Sequence, residues 1–408
     1  MSNQPIHKLM PLIKSSLERL KEAGLYRTRR VAQSPCSPIV NVNDRSLLAF
    51  NSNDYLGLAS DPRVVEAFMQ GAQLYGVGSG ASHLISGHSK AHALLEERLA
   101  QFMSAHISNA RALYFCTGYM ANLAVINALV EVQRDETEVF SEEFNHASII
   151  DAVRLSKAPC TVYPHSDYER LRELLKASKA KNKIVVSDGV FSMDGDIAPL
   201  LELQTVCEQA NAWLVIDDAH GFGVLGASGR GILEHFNIHD SRIVYMGTLG
   251  KAAGVGGAFL CADATLIDWI VQKARSYIYT TAAPPACAHA LLTSIDLIGN
   301  DVGFSKRAHL TQLINYFKAG VGDHSTQWNL LSSQTPIQPL VIGSNERVMK
   351  CSATLEDLGL WVTAIRAPTV PVGTARLRVT FCATHTHDQV DRLMNSLKTM
   401  VAEYSSFA

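Results

Sequence analysis

Three short runs constrain this chain more than any other feature. Lys183–Ser187 (KIVVS), Trp213–Asp217 (WLVID) and Arg242–Met246 (RIVYM) are apolar at successive positions rather than at alternate ones. Runs of that kind suit strands buried on both faces, as in a parallel sheet covered by helices. Between the first two, Pro199–Ala210 places Leu200, Leu203, Val206 and Cys207 at helical spacing. Strand, helical crossover and strand make a βαβ unit, so an α/β fold with a mostly parallel central sheet flanked by helices is expected.

The flanks read differently. Residues 8–24 form an amphipathic helix with Leu9, Leu12, Ile13, Leu17 and Leu20 on one face, and Arg27–Asp44 is a polar, irregular arm. Pro62 opens a helix through Tyr75. After about residue 293 come a helix (His309–Phe317), short strands (Ile337–Ile342, Arg376–Phe381) and a last helix (His387–Tyr404), the pattern of a smaller α+β domain. The expected division is an N-terminal helix and arm (1–60), a large domain (61–293) and a small C-terminal domain (294–408).

Composition removes several function classes. With 36 Lys and Arg against 38 Asp and Glu, the charge of −2 gives no basic surplus for nucleic acid. No apolar run reaches the ~20 residues of a membrane helix. The N-terminal segment lacks the apolar stretch and small-residue site of an export signal, so a cytoplasmic location is expected. The 8 cysteines contain no C-x-x-C pair, which argues against zinc and against a disulfide framework. Only 18% of residues are charged, and such a deficit suggests surface hidden against another subunit.

In an open parallel sheet, ligands bind beyond the carboxyl ends of the strands. Asp188, Asp217 and Lys251 fall there, and glycines 247, 250, 254, 256 and 257 surround the lysine. A lysine held among glycines and partly desolvated is suited to Schiff-base chemistry, although a solvated loop lysine has the same spacing. Asp217-Asp218-Ala219-His220 could orient a bound heterocycle, ligate a metal as in a metal-dependent hydrolase, or simply cap a helix. Gly221–Gly226 matches G-x-G-x-x-G but no helical pattern follows, and GTLGK is too short for a phosphate loop and lacks the Ser or Thr after its lysine. A better anion site is Cys116-Thr117-Gly118-Tyr119, between an expected strand (Ala112–Phe115) and helix (Met120–Val130). Arg376 and Arg378 share one strand face and could bind a carboxylate or be structural. His146, past a strand end near Phe140, is the other histidine placed to face a ligand.

SNDYLGL (52–58), GSGASHLISG (78–87), GVFSMDGDIAPL (189–200), VIDDAHGFGVLG (215–226) and GTLGK (247–251) occur in this order. The chain resembles the α-oxoamine synthases, pyridoxal-phosphate enzymes of fold type I with the aspartate-aminotransferase fold, from about residue 20 to its end. The resemblance implies that Lys251 holds pyridoxal 5'-phosphate and moves the substrate's Cα proton. Asp217 would face the pyridine nitrogen, His220 and Ser192 the phenolic oxygen, and His146 the ring face. Gly118, Tyr119 and Thr248 would meet the cofactor at its phosphate end, with Thr280 and Thr281 reaching the partner subunit's phosphate. Arg378 and Asn53 would hold the amino acid's carboxylate, and Arg27 (with Arg29 and Arg30 close by) and Thr369 the acyl substrate. The family usually has Glu at Asp188, and Gly-Phe where Ala252-Ala253 follow the lysine.

WVTAIRAPTVPVGTARLRVT (361–380) points, within that family, to a decarboxylative condensation of L-alanine with a pimeloyl thioester, carried on coenzyme A or an acyl carrier protein. The alternatives are the condensations that form 2-amino-3-ketobutyrate or 5-aminolevulinate, and a non-enzymatic regulator that binds the cofactor. The family also implies a homodimer with its active site at the interface, apolar surface around Tyr277–Pro285 being covered by the second copy. It implies no metal, no nucleic acid and no membrane.

Overall fold

The three apolar runs are the middle strands of a seven-stranded sheet. The computed structural model describes residues 5–322 and 329–405. In chain order its large-sheet strands are β1 (Ala110–Phe115), β2 (Thr137–Glu142), β3 (Cys160–Tyr163), β4 (Asn182–Asp188), β5 (Trp213–Asp217), β6 (Ile243–Thr248) and β7 (Ala258–Asp263). Their spatial order is β1-β7-β6-β5-β4-β2-β3. The pairs from β6 to β3 are parallel, as expected. β7 is the exception, antiparallel to both β6 and β1. Its connection from β6, residues 249–257, is too short for a parallel crossover, which takes a dozen residues or more. The reversal therefore follows from loop length, and it leaves Lys251 in a tight Gly-rich turn at the sheet's carboxyl edge. β4, β5 and β6 bury nearly every side chain, as their unbroken apolar runs require.

Helix Pro62–Tyr75 begins where Pro62 predicted it, with Asp61 accepting the Arg63 N–H as its cap. The expected domain boundary at 293/294 does not coincide with the end of an element. It falls inside helix Pro285–Gly299, which packs on Pro62–Tyr75, and a second helix continues over Asp301–Gly322. A second, four-stranded antiparallel sheet, ordered Asn329–Leu330, Ile337–Gly343, Ala375–Thr380 and Thr363–Ile365, packs with helix Asn345–Asp357, which contacts helix His387–Ser405.

The N-terminal arm also differs from its irregular reading. Ile39–Val42 and Arg45–Ala49 form a hairpin whose second strand pairs with Leu360–Trp361, near the other end of the chain. His385 stacks on Phe50 at 4.4 Å, and its Nε2 donates to the Ala49 carbonyl. Helix Pro5–Glu22 does form, and Leu9, Leu12, Ile13, Leu17 and Leu20 are all exposed along it. The segment around Tyr277–Pro285 corrects a further expectation. Tyr277, Ala282, Ala283 and Pro285 are buried within the chain itself, and Tyr279 is the large apolar side chain left outside.

The turn carrying Lys251 is fixed by close backbone packing. Gly254 has φ +72°, and a Cβ there would lie 2.4 Å from the Ala59 nitrogen. Gly254→Ala should therefore cost about 2 kcal/mol or more in strain and displaced backbone, read as a thermal midpoint several degrees below wild type. An unchanged midpoint would mean the 249–257 turn is not locked against Leu58–Ala59.

Candidate active site

Three strand ends and one helix start converge at the carboxyl edge of the sheet. β5 ends in Asp217, β4 in Asp188 and β6 in Thr248, three residues before Lys251. Helix Gly118–Glu131 starts beside them, capped by Thr117, whose Oγ1 accepts the Met120 N–H. The Gly118 and Tyr119 N–H groups ahead of that cap have no intrahelical acceptor and are open to an anion held there. Gly118 is required at this approach, since a Cβ would sit 2.9 Å from the Thr248 Cγ2.

Lys251 Nζ lies 2.8 Å from His220 Nε2. Burial brings the lysine pKa down to about 8, against the opposing pull of the Asp217 and Asp188 carboxylates. His220 is buried and is held well below the usual imidazole range, first by burial and then by the lysine's charge. Its other ring nitrogen meets the Tyr55 hydroxyl, which in turn lies 3.2 Å from Asn53 Oδ1. Burial lifts the Tyr55 phenol to about 12, so it stays protonated.

Asp217 is oriented from two sides, by the Ala219 N–H at 3.0 Å and by Asn122 Nδ2 at 2.7 Å. Asn122 Nδ2 also donates to Ser148 Oγ, which contacts His146 Nδ1 at 2.7 Å. Asp217 and His146 are thus tied through one amide and one hydroxyl. His146 caps helix Ala147–Ser156, its backbone N–H donating to Asp188 Oδ2 at 2.8 Å. Asp188, shorter than the family's Glu, still reaches this contact. Burial, then the charge of Asp217, raises its carboxyl pKa well above the ordinary value.

The two strand arginines have separate fates. Arg376 pairs with Asp194 and donates to Thr374, so it is structural. Arg378 is buried and, among the described residues, forms no carboxylate pair. It donates to the Ser192 carbonyl (2.6 Å), Asn53 Oδ1 (3.2 Å) and Thr380 Oγ1 (3.1 Å). A buried guanidinium without a counter-charge is poised for an anionic ligand.

Arg27 and Thr369 line one cavity of about 410 Å³. Thr369 also lines a second cavity, with Ser192 and Asn145. Arg30 lines the same cavity as Arg27, but its guanidinium is paired with Glu356 and lies over the Trp361 ring. Thr280 and Thr281 lie beside the Cys116 turn of their own chain, where the Thr281 carbonyl is 3.5 Å from Cys116 Sγ. Ala252 and Ala253 are buried, and the Ala252 methyl packs against Gly223. Asp218 turns away from Asp217, accepting from the Ile232 N–H and the Tyr245 hydroxyl. Asp217, Asp218 and His220 therefore do not converge as a metal centre.

Sequence reasoning passed over Tyr55, Asn122 and Ser148, and also His165. The His165 ring bridges Glu142 (2.6 Å) and Asp196 (3.2 Å), joining the loops that carry His146 and Ser192. Tyr55 lay within the SNDYLGL motif, but nothing local marked the others.

These residues fit pyridoxal phosphate. A lysine amine with depressed pKa, a carboxylate at a strand end and a glycine-lined helix N-terminus supply its aldehyde, ring-nitrogen and phosphate partners. Fold and site together define a fold type I pyridoxal-phosphate enzyme, and residues 45–397 match the aminotransferase class I and II family. Serine palmitoyltransferase from S. paucimobilis with bound PLP superposes with TM-score 0.88 at 26% identity, covering 99% of this chain and 100% of that one. 8-Amino-7-oxononanoate synthase from Francisella tularensis gives TM-score 0.74 at 29% identity, over 88% and 98% of the two chains. Proteins named 8-amino-7-oxononanoate synthase are similar in sequence too: that of Janthinobacterium sp. (strain Marseille) is 57% identical over 97% of this chain and 99% of its own length. That of Bordetella petrii is 54% identical over 96% and 98%. The chain belongs to the 8-amino-7-oxononanoate synthase family.

The lysine's setting predicts its titration. Protein freed of cofactor should take up pyridoxal phosphate, trapped at Lys251 by borohydride, at a rate that rises with pH through about 8. A rise centred near the ordinary lysine value of 10.5 would mean that burial leaves the amine unaffected.

Proposed function

We propose that the chain condenses L-alanine with a pimeloyl thioester, releasing CO2 and the thiol carrier and forming 8-amino-7-oxononanoate, a step of biotin biosynthesis. The observation that carries the reading is Lys251 Nζ, 2.8 Å from His220 Nε2 in a pocket that also holds the Asp217 carboxylate. Near-full-length relatives of the same name support the substrate choice. When bound, pyridoxal phosphate supplies an electron sink that acidifies the amino acid's Cα and lets CO2 leave.

The chain's residues do the rest. Asp217 keeps the cofactor's ring nitrogen protonated, while Asn122 and the Ala219 N–H hold its carboxylate in place. His146 would cover the ring face, and His220 with Ser192 would meet the phenolic oxygen. Thr248 and the first-turn N–H groups of Gly118 and Tyr119 would hold the phosphate, with Thr280 and Thr281 serving that of the partner subunit. Arg378 and Asn53 clamp the alanine carboxylate. Lys251 would hold the cofactor through Nζ and, once the incoming alanine amine has displaced it, would take the Cα proton and return it; a pKa of about 8 keeps a useful fraction of the freed amine neutral. The acyl chain approaches past Arg27 and Thr369, along the cavities that Thr369 shares.

The purified protein should be yellow and bleach with borohydride, leaving the cofactor attached to Lys251. Supplied with L-alanine and pimeloyl-CoA or pimeloyl-carrier protein, it should form 8-amino-7-oxononanoate, and Lys251→Ala should fold without turning over. Preference for glycine or serine, or for another acyl group, would overturn the substrate assignment.

The same reading makes the enzyme a cytoplasmic homodimer. All eight cysteines are free, and no helix among the described residues is long and apolar enough to cross a membrane. Leu74, Val77, Leu84, Ile85 and Tyr279 are exposed on segments near the site, a surface suited to a second copy. Light scattering at micromolar concentration should return twice the 44.4 kDa chain mass. An active monomer would remove this part of the proposal.

A further inference from the structure

Away from Lys251, three imidazoles converge where neither the condensation nor the comparisons assign a role. One ring nitrogen from each of His83, His88 and His92 lies within 4.8 Å of the other two. His83 begins the turn His83–Gly87, and His92 stands in the first turn of helix Lys90–Met103. The Nδ1 atoms of His83 and His88 are 2.9 Å apart. Two imidazoles on one tetrahedral zinc ion, with Zn–N bonds of about 2.05 Å, place their nitrogens ~3.4 Å apart. A shift of about half an ångström would thus replace the shared proton by an ion.

The surroundings of these rings match those of metal-ligating histidines, which donate their second N–H to a carbonyl or carboxylate. His92 Nε2 lies 2.8 Å from the Ala283 carbonyl, which puts the proton there and the lone pair on Nδ1. That lone pair now accepts the Ser89 N–H at 3.0 Å, the contact an ion would displace. Behind His88, Nε2 lies 3.9 Å from Glu96, whose carboxylate also receives the Tyr114 N–H. Stacking of His83 on Tyr277 at 4.7 Å holds the third ring.

We propose that His83, His88 and His92 form a structural site for a divalent transition-metal ion of the zinc class, with Glu96 as the outer carboxylate. Imidazole donors suit zinc, nickel and cobalt far better than magnesium or calcium. The ion would cross-link the His83–Gly87 turn to the first turn of helix Lys90–Met103, in a segment already tied to residues 281–283 by the Ser82–Thr281 bridge and the Ala282 N–H to Ala81 bond. It takes no part in the condensation, so its fate is separable from that of the proposed activity.

Zinc chloride alone, dialysed against the cofactor-loaded full-length protein and followed by metal analysis, tests the site. About one zinc per chain should be retained, and cobalt(II) in its place should give a visible absorption band. His88→Gln and His83→Gln should each weaken zinc binding by at least about tenfold and abolish the band. His88 is partly exposed, so its variant keeps the fold, checked by circular dichroism. Zinc should raise the melting temperature of wild type and not of His88→Gln. Retention of no zinc, or equal retention and affinity in wild type and both variants, would overturn the proposal and leave the three rings as a hydrogen-bonded packing cluster.

Discussion

The burial of one amine organises this molecule. Lys251 sits in a turn whose short length forces β7 to run antiparallel, and whose Gly254 is locked against Leu58–Ala59. A charged ammonium is costly in such a place, and the neutral amine is favoured instead. Every neighbour follows from that constraint: a neutral His220 at 2.8 Å, a Tyr55 phenol behind it, and carboxylates on β4 and β5 that temper the shift without cancelling it.

The small domain completes what the large sheet begins. Arg378 reaches from its antiparallel sheet to the Ser192 carbonyl on the large domain and to Asn53 on the arm. A single guanidinium thus joins three stretches that lie far apart in sequence, and among the described residues it has no carboxylate partner. His165 performs a comparable service within the large domain. Burial pulls its pKa down, but the Asp196 and Glu142 carboxylates overcome this and lift it to about 10. It is therefore a charged clamp between the loops of His146 and Ser192.

Much of the site was legible in the chain. Lys251, Asp217, His220 and Gly118 follow apolar runs or precede a helix, and strand-end position is a local property that periodicity reveals. Thr117 as a cap and Pro62 as a helix start were equally local. Asn122 and Ser148 were not legible, because each looks like an ordinary polar residue on a helix until the fold sets it between Asp217 and His146. The arm was misread for a related reason. Its strand pairing is with Leu360–Trp361, more than three hundred residues away, and no local pattern announces such a partner.

Sequence alone determined the parallel core, the strand-end chemistry and the family resemblance, because these depend on side-chain periodicity and on motifs of a few residues. Only the tertiary structure decided which of two equivalent strand arginines is free. Arg376 and Arg378 have the same spacing and face, yet Asp194 neutralises one and, among the described residues, no carboxylate pairs with the other. Likewise it separated Asp217 from Asp218, adjacent residues that point to opposite sides of the sheet, and gathered His83, His88 and His92 into one cluster. The physical reason is common to all three. Charge pairing and ligand convergence are set by distances between segments, and those distances exist only once the chain has folded.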